Sequence, residues 1–482
     1  MEVAELRTTH HSTDRGSGRA FRYHRRRLAN AIAVAATDSA ALVCAMLLGG
    51  AVRWSLFGQA LIPEWTWLFV VAWWGVAYSA GLLPTWGLGI VTELRRTVML
   101  LLALFGGTAL FLFLAKQGAE MSRLTVTIGF VASIPLVPIG RMLIKKALIR
   151  ADYWGNPVVV YGSGGTSGRV IRALREEPGL GYFPVGVFDD RAELWGDYVE
   201  GVRVLGSLEQ SAPAAPVAVL VGSGIPPDRV AELLEGPLSC YKQAVVIPDL
   251  FDMPSLWVKS RNLAGILGLE ITSNLLDPLS KFLKRSMDLI IVLGTAPFWG
   301  PTYLLVAGLI RLDGGGSPLF FQERVGMDGR SFKMPKFRTM HRDADDLLER
   351  ILEEDAGLRA EWMASFKLRR DPRVTRLGAF LRMWSLDELP QLISVLRGDM
   401  SLVGPRPLPH YHLMKLQPHT QKLRTRVRPG MTGQWQVSGR SDAGSLTMER
   451  WDAFYVRNWS VWLDIVILVR TFGAVIRGSG AY

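Results

Sequence analysis

The chain has 482 residues, 49% of them apolar, with 16 tryptophans and a net charge of +12. Its length leaves room for two or three domains, and its apolar content is too high for an ordinary soluble enzyme. The basic residues flank apolar segments instead of forming one stripe, which points to a lipid surface and anionic substrates and away from nucleic acid. Cys44 and Cys240 lie far apart and imply neither a disulfide framework nor a metal-ligand spacing.

Residues 1–29 read as a basic cytoplasmic tail, polar and expected to be disordered over the first 20. Arg22, Arg25, Arg26 and Arg27 lead into an apolar run at about 30–52, too long for a signal peptide and without a cleavage pattern. Further runs at about 64–83, 97–115 and 122–140 are each near the ~20 residues needed to span a bilayer. Residues 30–150 therefore read as a membrane α-helical bundle of four helices. Arg95 and Arg96 occupy the second connection, and Arg141, Lys145, Lys146 and Arg150 follow the fourth run. The other connections hold only Arg53, Lys116 and Arg123, so positive-inside counting places both ends of the bundle in the cytoplasm.

Residues 151–276 change character. Strands are expected at 158–161, 185–188, 217–221 and 244–247, with helices through Arg175 and at about 228–235. That alternation implies an α/β Rossmann-like domain with a doubly wound parallel sheet. The loop glycines Gly162, Gly164 and Gly168 are one residue off the dinucleotide fingerprint. Two readings stay open: a bound nucleotide, with Asp189 on a ribose, or a scaffold that keeps the glycines for geometry, with Asp189 closing a strand end.

Residues 277–482 begin with an apolar segment at about 281–311, flanked by Lys281, Lys284, Arg285 and Arg311 and interrupted by Pro297 and Pro301. A full span would carry everything after it to the far side of the membrane. Basic flanks on both sides and a mid-segment kink favour a re-entrant helix that enters and leaves the cytoplasmic leaflet. Residues 343–368 suit surface helices. The tail from Trp459 to Arg477 reads as an interfacial amphipathic helix, with a packed core helix as the alternative.

Ser385-Leu-Asp-Glu-Leu-Pro-Gln-Leu392 carries the chemistry. Pro390 suits a first helical turn, which puts Asp387 and Glu388 at or ahead of a helix N-terminus, where anions and phosphate are favoured. Taken alone this is also a capping-box pattern. Its surroundings are Arg382 upstream, Asp399-Met-Ser-Leu-Val-Gly-Pro-Arg-Pro-Leu408 downstream, then Pro429-Gly-Met-Thr-Gly-Gln-Trp-Gln-Val-Ser-Gly-Arg440. Earlier come Phe320-Phe-Gln-Glu-Arg-Val-Gly-Met-Asp-Gly329 and Lys336-Phe-Arg-Thr-Met340. Arginines in Gly/Pro-rich turns are fixed forks for the oxygens of a diphosphate.

These motifs resemble the bacterial sugar transferase family, the monotopic phosphoglycosyl transferases, and the whole layout is similar to its large polyprenyl-phosphate hexose-1-phosphate transferases. Ser394 stands where that family often has Asn, and Ala296-Pro297 replaces a common Ser-Pro. The resemblance implies a mainly α monotopic catalytic domain at the inner membrane. Asp387 would attack the β-phosphorus of a UDP-hexose, releasing UMP, and the sugar phosphate would then pass to undecaprenyl phosphate. Glu388, with Asp387, would help hold Mg²⁺ as the metal, and Arg382 and Arg406 would bind phosphate. Lys336 and Arg338 would order the site, bind lipid phosphate or face headgroups. A homodimer is compatible with the resemblance alone. Gln434-Trp-Gln436 would meet the nucleotide or sugar, or form local core. His341, His410, His412 and His419 form no convincing metal set.

Two other readings compete. A membrane-bound nucleotide-sugar dehydratase or epimerase would need a Tyr-x-x-x-Lys pair, which residues 155–272 lack. A non-catalytic assembly or regulatory protein leaves the motifs around Asp387 unexplained.

Overall fold

The computed structural model describes residues 16–58, 66–114, 122–162, 165–212, 215–248, 258–263, 266–271, 278–314, 316–355, 357–359, 363, 368, 371–438 and 445–476. Gly164, Arg440, Arg477 and residues 1–15 of the tail expected to be disordered lie outside these, whereas residues 16–20 of that tail already belong to a helix. The chain divides into two compact units, Met1–Met253 and Pro254–Tyr482. The hairpin β7 (Val258–Leu263) and β8 (Ile266–Ile271), at the end of the expected middle domain, falls in the second unit.

The first unit opens with four helices: α1 (Gly16–Phe57), α2 (Thr66–Ser79), α3 (Ile90–Leu114) and α4 (Arg123–Arg150). Among the described residues, Arg25–Phe57, Ile90–Phe111 and Arg123–Arg150 are long and apolar enough to cross a membrane, whereas Trp67–Ser79 is a shorter apolar helix. Leu42, Trp73, Leu101 and Val137 bring one buried side chain from each helix into a shared core. Leu47, Val71, Leu102, Phe113 and Val131 point outward, the reverse of a water-soluble bundle.

Charge is also buried in this bundle. Asp38, fully buried, accepts from Arg141 Nε at 2.8 Å and Nη2 at 2.6 Å, and from Trp73 Nε1 at 2.9 Å. Glu93 pairs with Lys145 and lies 3.5 Å from Arg141 Nη1. Two of the basic residues counted toward topology are thus turned inward, onto acids of α1 and α3.

One end of the bundle grips the α/β domain. Arg26 donates to the carbonyl of Asp152 at 2.7 Å, Asn30 to that of Tyr153 at 2.9 Å, and the amide of Gly87 to Leu180 at 2.8 Å. The start of α1, the second connection and the end of α4 therefore share one side, the side that carries the sheet.

The sheet strands are β1 (Asn156–Tyr161), β2 (Tyr182–Phe188), β3 (Tyr198–Val199), β4 (Val202–Gly206), β5 (Val217–Val221) and β6 (Gln243–Ile247). Helices α5 (Gly165–Glu176) and α6 (Pro227–Glu235) connect them. The order is β3-β4-β2-β1-β5-β6, parallel throughout except for the β3–β4 edge pair. The continuous apolar runs of β1 and β5 follow from burial on both faces. The β3–β4 pair went unseen in the sequence: the two residues of β3 give no periodicity, and β4 is a run of only five residues.

In the second unit α7 (Pro278–Gly294) and α8 (Ala296–Gly314) meet at a 62° bend. The break falls at Thr295, one residue ahead of the Ala-Pro pair. Its hydroxyl donates to the Ile291 carbonyl at 2.6 Å, and the Trp299 indole donates to that of Val292 at 2.9 Å. The Val292 carbonyl is thus satisfied locally by a side chain, while the Ile291 carbonyl also keeps its backbone bond from the Thr295 amide at 3.0 Å.

The hairpin β9 (Leu319–Val325) and β10 (Ser331–Phe337) follows, then α9 (Ala344–Glu354), α10 (Arg376–Met383) and α11 (Gln391–Arg397). Next come β11 (Ser401–Val403), α12 (His410–Leu413), α13 (Pro418–Arg424), β12 (Gly430–Thr432) and α14 (Gln434–Val437), ahead of α15 (Ser445–Asn458) and α16 (Val461–Ile476). Strands β11 and β12 run parallel and extremely close: a Cβ on Gly430 would stand 2.0 Å from the Gly404 nitrogen.

The tail helix α16 is first of all core. Leu463, Val466 and Ile467 are buried, while Val469 and Phe472 are exposed farther on. Asp464, fully buried, joins Lys284 at 2.9 Å and the Tyr455 hydroxyl at 2.8 Å; Lys284 also reaches Asp288, which accepts from the Ser401 hydroxyl at 2.7 Å. This polar thread runs from α7 through β11 to α15 and α16.

Candidate active site

Residues Leu386–Glu388 form a single 3₁₀ turn, and α11 starts at Gln391 behind Pro390, close to the position that the proline predicts. The capping box does not form: Ser385 adopts a left-handed backbone (φ 54°, ψ 22°) and makes no side-chain cap. That conformation costs a serine about 1 kcal/mol or more and turns the chain sharply out of α10.

Lys336, at the end of β10, donates to Glu388 Oε1 at 2.8 Å, and Arg406 Nη2 reaches the same oxygen at 2.7 Å. Among the described residues Asp387 has no such bond; Lys336 Nζ is 3.9 Å from its Oδ2. Arg382 is aimed by Thr339, whose hydroxyl takes its Nε at 3.0 Å. Behind Arg406, Arg424 donates to the Arg406 carbonyl at 2.6 Å and pairs with Asp452.

The two adjacent carboxyls respond oppositely. Burial pushes Glu388 up, but the Arg406 and Lys336 cations outweigh it and hold the group down at about 2. Burial raises Asp387 above the ordinary carboxylate value, the Glu388 charge adds to this, and Lys336 and Arg382 offset only part. The helix N-terminus was expected to favour ionised Asp387; desolvation is the larger effect.

Of the sequence-predicted residues, Asp387, Glu388, Lys336, Arg382 and Arg406 converge. Arg338 does not: its Nη1 lies where a Cβ on Gly316 would be 2.8 Å away, and among the described residues it pairs with neither carboxylate. In the first unit Gly162 (φ +150°) packs so closely on β5 that a Cβ would stand 2.9 Å from Val221 Cβ and 3.0 Å from Ser167 Oγ. Gly168 has 3.4 Å to Glu200 Cγ, and Gly164 lies outside the described residues. The oxygens of Asp189 accept from the backbone N–H and the guanidinium of Arg191.

Sequence reasoning passed over Arg324. An open cleft beside Glu388 is lined by Arg324, Met334, Lys336, Gln391, Arg406 and Gly430. In β9–β10, Arg324 stands opposite Phe332 and Gln322 opposite Met334, so Arg324, Met334 and Lys336 share one face. The signal was the turn sequence Gly326-Met-Asp-Gly329, which fixes that register.

The family described as bacterial sugar transferase matches residues 279–478, and one described as CoA-binding domain matches 85–215. A UDP-galactose-lipid carrier transferase of Erwinia amylovora is 37% identical over 371 residues, covering 75% of this chain and 77% of that protein. The UDP-glucose:undecaprenyl-phosphate glucose-1-phosphate transferase of Escherichia coli is 31% identical over 67% of this chain and 68% of its own length. The exopolysaccharide production protein ExoY of Rhizobium meliloti is 42% identical over 205 residues, which are 42% of this chain but 90% of that protein. With such identity maintained over three quarters of both the Erwinia protein and this one, the chain belongs to the bacterial sugar transferase family.

Proposed function

We propose that the protein transfers hexose-1-phosphate from a UDP-hexose to undecaprenyl phosphate through a covalent intermediate on Asp387. The observation that carries this reading is the inequality of the two carboxylates: Glu388 is held by two cations, while Asp387, half-buried beside it, has no hydrogen-bonded cation among the described residues. An Asp387 oxygen attacks the β-phosphorus and the bond to the bridging oxygen breaks, so UMP departs with that oxygen. An oxygen of the lipid phosphate then attacks the acyl phosphate. The carboxylate is released, and the product is a lipid-linked diphosphate sugar, the starting unit of an exopolysaccharide, capsule or O-antigen. The relatives' names support glucose or galactose.

Mg²⁺ belongs to this reading. Among the described residues no three His, Cys, Asp or Glu side chains gather, but Lys336 and Arg406 both end on Glu388 Oε1, so Oε2 and Asp387 suit an ion completed by substrate oxygens. Bound there, it would neutralise the diphosphate. Lys336 and Arg406 fix Glu388, and Arg382 stands ready for the phosphoryl oxygens.

The bent α7–α8 pair is read as a re-entrant hairpin in the cytoplasmic leaflet, with Phe282, Ile290, Phe298 and Leu304 facing lipid. The bundle 30–150 spans the inner membrane, 151–276 is cytoplasmic, and 277–482 performs the chemistry.

The test is UMP release by the full chain mixed with UDP-glucose or UDP-galactose and undecaprenyl phosphate. Release should stop with EDTA and return with Mg²⁺, and labelled sugar phosphate should be trapped on the protein when lipid is withheld. Turnover without a trappable adduct would sink the covalent step; no UMP from any UDP-hexose would sink the reaction.

A further inference from the structure

Five charged groups surround Glu388 and Asp387 or form that pair, yet the cleft beside them is not centred on Asp387. Lys336 and Arg406 line it and are engaged by Glu388; Asp387 and Arg382 do not line it. Arg324 does, and its charge is unspent. Its Nη2 bonds the neutral Gln322, two residues back on its own strand, at 2.8 Å. Its Nε is buried with no hydrogen-bond partner, and among the described residues it has no carboxylate within ion-pair distance. A strut would have its donors occupied, because a buried unmet donor costs about 1–3 kcal/mol. Burial and the neighbouring Arg406 lower the pKa of Arg324, which marks a crowded cationic pocket that an anion would relieve.

We propose that Arg324, together with Arg406, forms a second phosphate subsite, one phosphate removed from the phosphorus that Asp387 attacks. A diphosphate needs cations at both phosphorus atoms. Arg382 and Lys336 stand by Asp387 for the first; Arg324 supplies a fork for the second, from the same hairpin face that presents Lys336. The ligand chemistry is a phosphate ester, either the uridine monophosphate part of the donor or the phosphate of the lipid acceptor. The inference rests on the transferase reading.

The full chain in detergent or nanodiscs is compared as wild type, Arg324→Gln and Arg324→Lys. Thermal shifts are read with UMP and with inorganic pyrophosphate, alongside KM for UDP-hexose and for undecaprenyl phosphate. Arg324→Gln should melt like wild type without ligand and lose about tenfold or more in UMP affinity, as removal of a charge-assisted bond predicts. Arg324→Lys should recover part of it, having charge without the fork. A tenfold rise in KM for the lipid phosphate, with UMP affinity unchanged, assigns the same subsite to the acceptor. Unchanged UMP affinity and both KM values unchanged overturn the proposal, as does a wild type that binds neither UMP nor pyrophosphate. Arg324→Lys is read on all three measures, so a Gln variant that fails to fold leaves the test intact. If wild type releases no UMP from any UDP-hexose, yet Arg324→Gln abolishes its stabilisation by pyrophosphate, the transferase reading fails and the subsite stands.

Discussion

In the helical bundle Asp38 and Glu93 face Arg141 and Lys145; in the catalytic unit Asp387 and Glu388 face Lys336, Arg406 and Arg382. The bundle matches each acid with a base and adds the Trp73 indole, so its charges cancel and hold helices together. The second cluster directs two cations at one oxygen of Glu388 and leaves Asp387 partly served. Acids and bases in similar proportion therefore make a staple in one place and leave an unevenly served carboxylate in the other. What differs is how evenly the hydrogen bonds are shared.

The largest effect should follow from removing the underserved acid. Asp387→Asn keeps size and packing, and turnover should fall by about 10⁴-fold or more, as for other nucleophile deletions. UMP release per folded molecule measures this, with an unchanged melting temperature as control. Substantial residual activity would remove the distinction between the clusters.

The staple should fail differently. Asp38→Asn leaves the buried Arg141 with Glu93, 3.5 Å away, as its remaining acid, and breaking a buried pair costs about 3–5 kcal/mol. Melting should drop steeply, while activity per folded molecule stays near wild type. An apolar pair, Asp38→Leu with Arg141→Met, should recover much of the loss. Loss of activity without loss of stability would mean that the bundle cluster is not merely structural.

The pH profile sharpens the comparison further. Asp387 must be ionised to attack, so single-turnover UMP release falls as pH drops through its folded pKa, which lies above the ordinary 3.8; Glu388, at about 2, remains charged throughout. Lys336→Met removes a cation and should move the acid limb to higher pH. Glu388→Gln removes a neighbouring anion and should move it lower, alongside a general loss of rate. Both shifts in one direction would contradict this account of Asp387.

Thr295→Val should have the smallest effect. It deletes the hydroxyl that serves the Ile291 carbonyl at the bend, worth about 1 kcal/mol, and should lower the melting temperature slightly without touching KM. No change would mean that the Thr295 backbone bond to Ile291 and the Trp299 indole suffice at the bend.

Local pattern exposed one side of this contrast and hid the other. The Asp-Glu-Leu-Pro stretch advertised its turn and helix start, and β1, β2, β5 and β6 announced themselves as apolar runs ended by glycine, acid or proline. Asp38 and Arg141 are 103 positions apart, and no window of sequence relates an acid inside one apolar helix to a base at the end of another. Arg141 and Lys145 accordingly looked like headgroup-facing charges. Arg324 was in view within a quoted motif, but only the hairpin register sets it beside Lys336. The desolvation that raises Asp387 depends on its finished surroundings and has no counterpart in a string of letters.

The polar thread through Asp464 has a consequence for the order of events during synthesis. Lys284 and Asp288 are made early in the catalytic unit and lie in the apolar hairpin segment, while Asp464 is made some 180 residues later. Until α16 arrives, the hairpin carries charges without their final partner, and Ser401 and Tyr455 have yet to join. Closure of the unit therefore waits on its last helix. A chain that ends before α16 keeps the Lys284–Asp288 pair but lacks the Asp464 end of the thread, so the unit is complete only once its final helix docks.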